Sequence, residues 1–293
     1  MISLFKKSGL FLVRYITKFK LLPFSLRFRL ARIWLKPSPN NHDQFCVDFY
    51  TYKYTGRLSN YIDWSVFFFG AYEQEDLDIC IRLIKKLKLH RQVCTVYDIG
   101  ANIGHHALAF AANADLVYAF EPFEPVMNQI EDKIKKNTIN NIVIYPLGLS
   151  SESTDLTFVP PDQNNLGTGF FNPRSINLDS EPGMLKLKVV EGDSWVLSNK
   201  LNLPDFVKID VEGFEPYTLI GLKNTLSASQ PILMVELSQK CLEHLKLLNV
   251  ESLFELLPPG YEAFTVENRK LKKSNLTFHG KNFFFIPNHL SIN

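Results

Sequence analysis

Residues Val96–Phe110 read VYDIGANIGHHALAF. A short apolar run carrying one acid, Asp98, enters Gly100; a second glycine, Gly104, follows four residues later, and helix-forming residues come next. That is the pattern of a strand, a tight turn and a helix start, which offers backbone N–H groups to a nucleotide-like ligand. A dinucleotide fingerprint has the form GxGxxG, so that the backbone closes on a pyrophosphate. Here Asn102 stands at the middle glycine, and Asp98 sits where a carboxylate would face the ligand. A carboxylate repels pyrophosphate and suits a cation, so S-adenosylmethionine, with its sulfonium and ammonium groups, fits this loop better than NAD. Glu121 ends the next strand, where an acid takes ribose hydroxyls in both kinds of site. The structural alternative is that Asp98 and Glu121 cap the helices that follow them.

Outward from this stretch, strands and helices alternate. TVYDIG, DLVYAFEP, NIVIYPLGLS, DFVKIDVEG and PILMVELS read as strands, and GHHALAFAAN, EPVMNQIEDKIKKN, EPYTLIGLKNTLSAS and CLEHLKLLNVESLFELL as helices. YEAFTVEN and KNFFFIP close the chain as an antiparallel edge. The expected fold is a doubly wound, mostly parallel α/β sheet with ligands outside the carboxyl ends of its strands. Residues 1–91 would form a basic N-terminal extension with lead-in helices, and 92–293 the Rossmann-like domain. A variable insertion, at about 151–191, contains the strand-like runs DLTFVP and LKLKVVEG. Phe45–Phe69 reads as aromatic-rich and irregular.

The chain has 293 residues, 46% of them hydrophobic, enough to bury a full core. Its four cysteines (Cys46, Cys80, Cys94, Cys241) have neither disulfide nor zinc spacing, which points to a reducing, cytoplasmic setting. The net charge of +2 conceals an asymmetry: residues 1–36 carry nine Lys or Arg and no acid, leaving 23 bases against 30 acids elsewhere. Lys7, Arg14 and Lys18 share one helical face, while Leu4, Phe11, Leu12, Tyr15 and Phe19 crowd the other. The run Ser8–Val13 is far short of the ~20 apolar residues that cross a bilayer, and no signal-peptide cleavage pattern is present. Two readings follow for residues 1–36: peripheral contact with the inner face of an anionic membrane, or a helical pair packed on the domain with its basic face in water.

The segments FFFGAYEQEDL, VYDIGANIG, VYAFEPFEPVMNQI and, above all, VKIDVEGFEPYTLIGLKNTL followed by PILMVEL resemble the FkbM family of S-adenosylmethionine-dependent methyltransferases. The resemblance implies a class I methyltransferase sheet and methyl transfer to a hydroxyl of a sugar, glycan or polyketide-type acceptor. It further implies that Asp98, Gly100, Asn102 and Gly104 hold the methionine part, Glu121 the ribose, and that Gly148 and Leu149 lie near the adenine. His106 and Ala107 stand where the family carries an aromatic and a small hydroxyl residue.

An alcohol must lose a proton before it attacks, which calls for a general base or a metal. Strand alternation puts Phe206, Lys208 and Asp210 on one side, with Asp210 at the carboxyl end. Glu236 ends the next strand, so Asp210 and Glu236 meet if the two strands are neighbours. Such a pair can accept a proton or hold a divalent cation; alternatively Asp210 and Glu212 cap the following helix and Glu236 is structural. Lys208 would steady an alkoxide or pair with Asp210 or Glu236. His105 and His106 read as packing groups. Asn164, Asn165, Thr168, Asn172 and Arg174 are polar candidates for an acceptor. A [DN]PP[YF] segment and a nucleophilic cysteine are both missing near KIDVEG, which argues against a nucleic-acid substrate. An NAD(P)-dependent oxidoreductase and a non-catalytic domain recruited through its basic N-terminus are the competing readings.

Overall fold

The computed structural model of the chain describes residues 4–19, 21–38, 43–160, 169–171, 183–237, 253–274 and 281–290. Its elements begin with α1 (Leu4–Thr17), α2 (Phe24–Trp34), β1 (Gln44–Phe49), β2 (Tyr52–Arg57), α3 (Tyr61–Phe69) and α4 (Gln74–Lys88). The alternating part runs β3 (Thr95–Ile99), α5 (His105–Ala111), β4 (Leu116–Phe120), α6 (Glu124–Asn137) and β5 (Ile142–Tyr145). Next come β6 (Gly148–Ser150), β7 (Thr154–Val159), β8 (Phe170–Phe171), β9 (Leu185–Glu191) and α7 (Gly192–Ser198). The chain then forms β10 (Phe206–Ile209), α8 (Glu215–Gly221), α9 (Lys223–Ser229), β11 (Ile232–Leu237), β12 (Tyr261–Glu267), β13 (Lys270–Lys273) and β14 (Lys281–Pro287).

The main sheet has the order β13-β12-β14-β11-β10-β3-β4-β5. Strands β5, β4, β3, β10 and β11 are parallel, and β14 runs antiparallel to both β11 and β12. This is the expected mostly parallel sheet with an antiparallel edge. Every residue of β3 is buried, as a central strand covered on both faces requires. Phe206 and Met234 join the apolar cluster on one face, while Val207, Ile209, Leu233 and Val235 join that on the other. The first of these clusters also takes in Leu10, Trp64 and Leu77, so the N-terminal elements share the core of the sheet. The order reverses between β3 and β10, which opens a crevice at their carboxyl ends.

Several elements differ from expectation for local reasons. Phe45–Phe69 is ordered: β1 and β2 form an antiparallel hairpin, and Asn60 caps α3 by accepting from Ile62 N and Asp63 N. Pro146, which lacks an N–H for the ladder, divides NIVIYPLGLS, so β5 stays in the main sheet and β6 enters a second one. That sheet, β6-β9-β7-β8, accommodates DLTFVP and LKLKVVEG. Gly221 lets α8 press on it, for a Cβ there would overlap the Ser150 backbone, and Thr218 Oγ1 donates to Leu149 O at 2.9 Å. Helix α7 follows β9 directly, an element that the sequence pattern does not mark, and EPYTLIGLKNTLSAS is two helices that meet at Leu222. The insertion residues Asn164, Asn165, Thr168, Asn172 and Arg174, most of CLEHLKLLNVESLFELL and Cys241 lie outside the described residues. Cys46, Cys80 and Cys94 are free thiols.

The helical pair does pack on the domain, but two of its bases point into it. Arg14 Nε donates to Phe67 O at 2.9 Å and Thr17 Oγ1 to Phe68 O at 2.7 Å, which satisfies carbonyls at the carboxyl end of α3. Arg27 is buried and donates to Leu22 O and Thr17 O, both at 3.1 Å. These arginines therefore turn inward, whereas Phe11, Leu12 and Tyr15 stay exposed.

Candidate active site

The cleft at the β3–β10 crevice has two walls. On one lie Gly100, Asn102, Glu121, Pro122 and Phe123; on the other lie Tyr72, Glu73, Asp210, Glu212 and Glu236, with Tyr61, Ile62 and Phe158 among the remaining lining residues.

The first wall is the glycine loop. Gly100 has φ +77°, and a Cβ there would overlap the Asp210 carbonyl, so only glycine fits. Gly104, at φ +81°, starts α5, with Ile130 against the place its Cβ would occupy. Asn102 adopts a left-handed conformation (φ 50°), and its Oδ1 accepts from Ile103 N at 2.8 Å. Gly100 N and Ala101 N donate to Phe120 O, which joins the loop to β4. Glu121 is not a side-chain helix cap; its two oxygens accept from Asn102 N at 2.8 Å and Phe123 N at 2.9 Å. Burial raises its carboxyl to about 7 despite these two bonds.

The second wall is assembled across strands. Ile209 aligns with Val235, so Asp210 and Glu236 leave neighbouring strands at the same level. Asp210, Glu212 and Glu236 can bring one carboxylate oxygen each within 4.8 Å of the others. The Asp210 charge, with burial second, pushes the Glu236 carboxyl far above its ordinary range. Glu215, in the first turn of α8, turns back on the loop, its Oε1 accepting from Val211 N at 2.9 Å and Gly213 N at 3.2 Å.

Lys208 joins the two walls from beneath. It is almost fully buried, and its Nζ stands 3.2 Å from Asp210 Oδ2, 3.5 Å from Asp98 Oδ1 and 3.2 Å from Gly100 O. Burial opposes its charge, but Asp210 and Asp98 together outweigh that and hold the ammonium well above its usual range. Asp98 faces Lys208 directly across the β3–β10 ladder and is fully buried. Its carboxylate balances the lysine and is not among the cleft-lining residues. Gly148 and Leu149, on β6, are not among them either, and Gly104 contributes through the loop's shape.

Glu73 and Tyr72 were missed by the reading from spacing. Glu73 precedes α4 in a left-handed conformation (φ 46°), and its carboxyl is raised to about 8, first by burial and then by Asp210. The segment containing it, FFFGAYEQEDL, carried a family signal but no strand-end position to mark the acid. His105 and His106 are buried; His105 Nε2 accepts from Tyr72 N at 3.2 Å. Burial, aided by Lys208, lowers the His105 imidazole to about 3, so it serves as a neutral packing group. Among the described lining residues there are five acids and no Lys, Arg or His. That set suits a cationic ligand and disfavours a pyrophosphate.

Comparison with known proteins accords with this geometry. The methyltransferase FkbM domain matches residues 98–253, more than half of the chain. The chain belongs to the FkbM methyltransferase family. It is similar to the hexuronic acid methyltransferase AglP of Haloferax volcanii, with 32% identity over 133 residues, 45% of this chain and 52% of that protein. The match thus spans about half the length of that relative. Among solved structures, the FkbM methyltransferase of Methylobacillus flagellatus aligns over 66% of this chain and 43% of its own, with 15% identity and a TM-score of 0.44. A SAM-dependent methyltransferase of Agrobacterium tumefaciens aligns over 84% and 70%, with 8% identity and a TM-score of 0.46.

Proposed function

We propose that this FkbM-family chain transfers a methyl group from S-adenosylmethionine to a hydroxyl oxygen of a sugar or related polyhydroxyl acceptor. The observation that carries the reading is the meeting of Glu73, Asp210 and Glu236 opposite the Gly100–Gly104 loop. The acidic lining and the lone pairs left on the Glu121 oxygens fit a cationic adenosyl ligand. Gly100, Asn102 and Gly104 would hold its methionine part and Glu121 its ribose. When bound, that cofactor supplies an electrophilic methyl group on a sulfonium.

The protein's own task is to orient the hydroxyl and take its proton. The Asp210 charge beside it strengthens the hold of Glu236 on its proton, and Glu73, held at about 8, has the affinity that suits a base working near neutral pH. Lys208 fixes Asp210 in place and limits the accumulation of negative charge as the proton moves. The name of the Haloferax relative supports a sugar acceptor. A second reading, in which Asp210, Glu212 and Glu236 would hold a divalent cation that acidifies the acceptor hydroxyl, is favoured by the convergence of their oxygens.

The test is incubation with methyl-labelled S-adenosylmethionine and a panel of saccharides, with and without EDTA. We expect an alkali-stable label on a sugar oxygen that survives EDTA and is lost in Asp210→Asn. An alkali-labile label would mean esterification of a carboxylate and overturn the hydroxyl assignment. Calorimetric binding of NADH in place of S-adenosylhomocysteine would overturn the cofactor. Loss of turnover in EDTA, restored by magnesium, would replace the carboxylate base with the cation.

A further inference from the structure

The N-terminal hairpin presents a face that the cleft chemistry does not use. On α1, Phe11, Leu12 and Tyr15 fall in one stripe at helical spacing, with Leu12 61% and Tyr15 72% exposed, and Phe19, just beyond the helix, is also exposed. On the outer side of α2, Ile33 is 70% exposed. The stripe is not an unpacked core face, because the opposite side of α1 is already secured by Leu10, Val13 and the Arg14 and Thr17 bonds to α3. Exposed apolar area on this scale marks an interaction surface.

Charge selects the partner. Residues 1–36 hold nine bases and no acid. Arg29, Arg32 and Lys36 are exposed, and the two arginines share the outer side of α2 with Ile33. A second copy would set one wholly basic hairpin against another with no acid to pair, which disfavours self-association. No described helix is long and apolar enough to cross a membrane.

We propose that this hairpin lies in the plane of an anionic lipid bilayer, its apolar stripe at the acyl boundary and its outer bases among the headgroups. It holds α3, which contributes Tyr61 and Ile62 to the cleft, on the bilayer side of the protein. The proposal is independent of the methyl-transfer reading.

The test is co-sedimentation of the full chain with vesicles of phosphatidylcholine alone and of phosphatidylcholine with 30% phosphatidylglycerol. Leu12→Glu/Ile33→Glu and Arg29→Ser/Arg32→Ser variants are run beside it, with circular dichroism as the control for folding. We expect binding to the anionic vesicles that weakens with salt, and a loss of about tenfold or more in each variant. Failure of the wild-type chain to bind, equal binding to both vesicle types, or unchanged binding by a folded variant would overturn the proposal. A dimer in light scattering that Leu12→Glu/Ile33→Glu converts to a monomer would assign the stripe to a second copy instead.

Discussion

The two walls of the cleft are built on different plans. The wall of Gly100, Asn102 and Glu121 comes from one strand–loop–helix unit and the end of the next strand, and backbone geometry shapes it. The wall of Glu73, Asp210, Glu212 and Glu236 is gathered from three distant parts of the chain, and charge shapes it. Lys208 shows the difference most directly. It touches two aspartates, yet Asp98 is fully buried and Asp210 is 29% exposed on its side chain. The same pairing makes one acid a counter-ion within the sheet and leaves the other available to a ligand.

The sharpest way to break this contrast is to neutralise each aspartate in turn. Asp210→Asn should lower turnover by roughly 10²–10⁴-fold, the usual effect of removing a proton acceptor, while S-adenosylhomocysteine binding by calorimetry persists. Asp98→Asn should act on stability first. If Asp98→Asn abolished turnover in a fully stable protein and Asp210→Asn did not, the two roles would be exchanged.

Lys208→Met tests the link between the walls. It leaves two carboxylates without their cation, one of them fully buried, and should cost about 3–5 kcal/mol in urea unfolding. The double variant Asp98→Asn/Lys208→Met should regain part of that loss. Gly100→Ala addresses the backbone wall alone. Its Cβ meets the Asp210 carbonyl at a left-handed φ, and we expect about 2–3 kcal/mol of destabilisation with loss of adenosyl-ligand binding.

The last effect sought is a slope with pH. Glu73 and Glu121 titrate at about 8 and about 7 in the folded chain, both raised chiefly by burial, against about 4.3 when unfolded. Between those values the folded state keeps protons that the unfolded state has released. Their contribution is therefore fully favourable below about pH 4 and is lost as pH rises toward 8. Thermal midpoints should decline from about pH 5 to 8, and Glu73→Gln should flatten the decline. An unchanged slope would remove Glu73 from the titrating set.

The contrast also governs what could be read from sequence. Asp98, Gly100, Asn102 and Glu121 are legible because strand, loop and helix follow one another, and Asp210 and Glu236 because both end parallel strands. Spacing does not reveal that Asp98 turns toward Lys208, since that depends on β10 lying beside β3, a pairing between residues more than a hundred positions apart. Glu73 lies in a turn before a helix, and only the tertiary fold brings it to the carboxylates. Pro146 was visible as a residue, but its consequence, a strand that leaves one sheet for another, needed the second sheet to exist. The same applies at the N-terminus, where amphipathic spacing reveals two faces but not which one α3 covers.

The acids lining the cleft have a further consequence, for turnover. On the proposed chemistry, the donor enters with a positive sulfonium and leaves neutral at that atom, while the surrounding carboxylates keep their bias toward cations. Each transfer thus discharges the guest and weakens its hold at the moment when release is needed. Salt should then loosen the donor more than the spent product, because screening acts on the charge that only the donor brings.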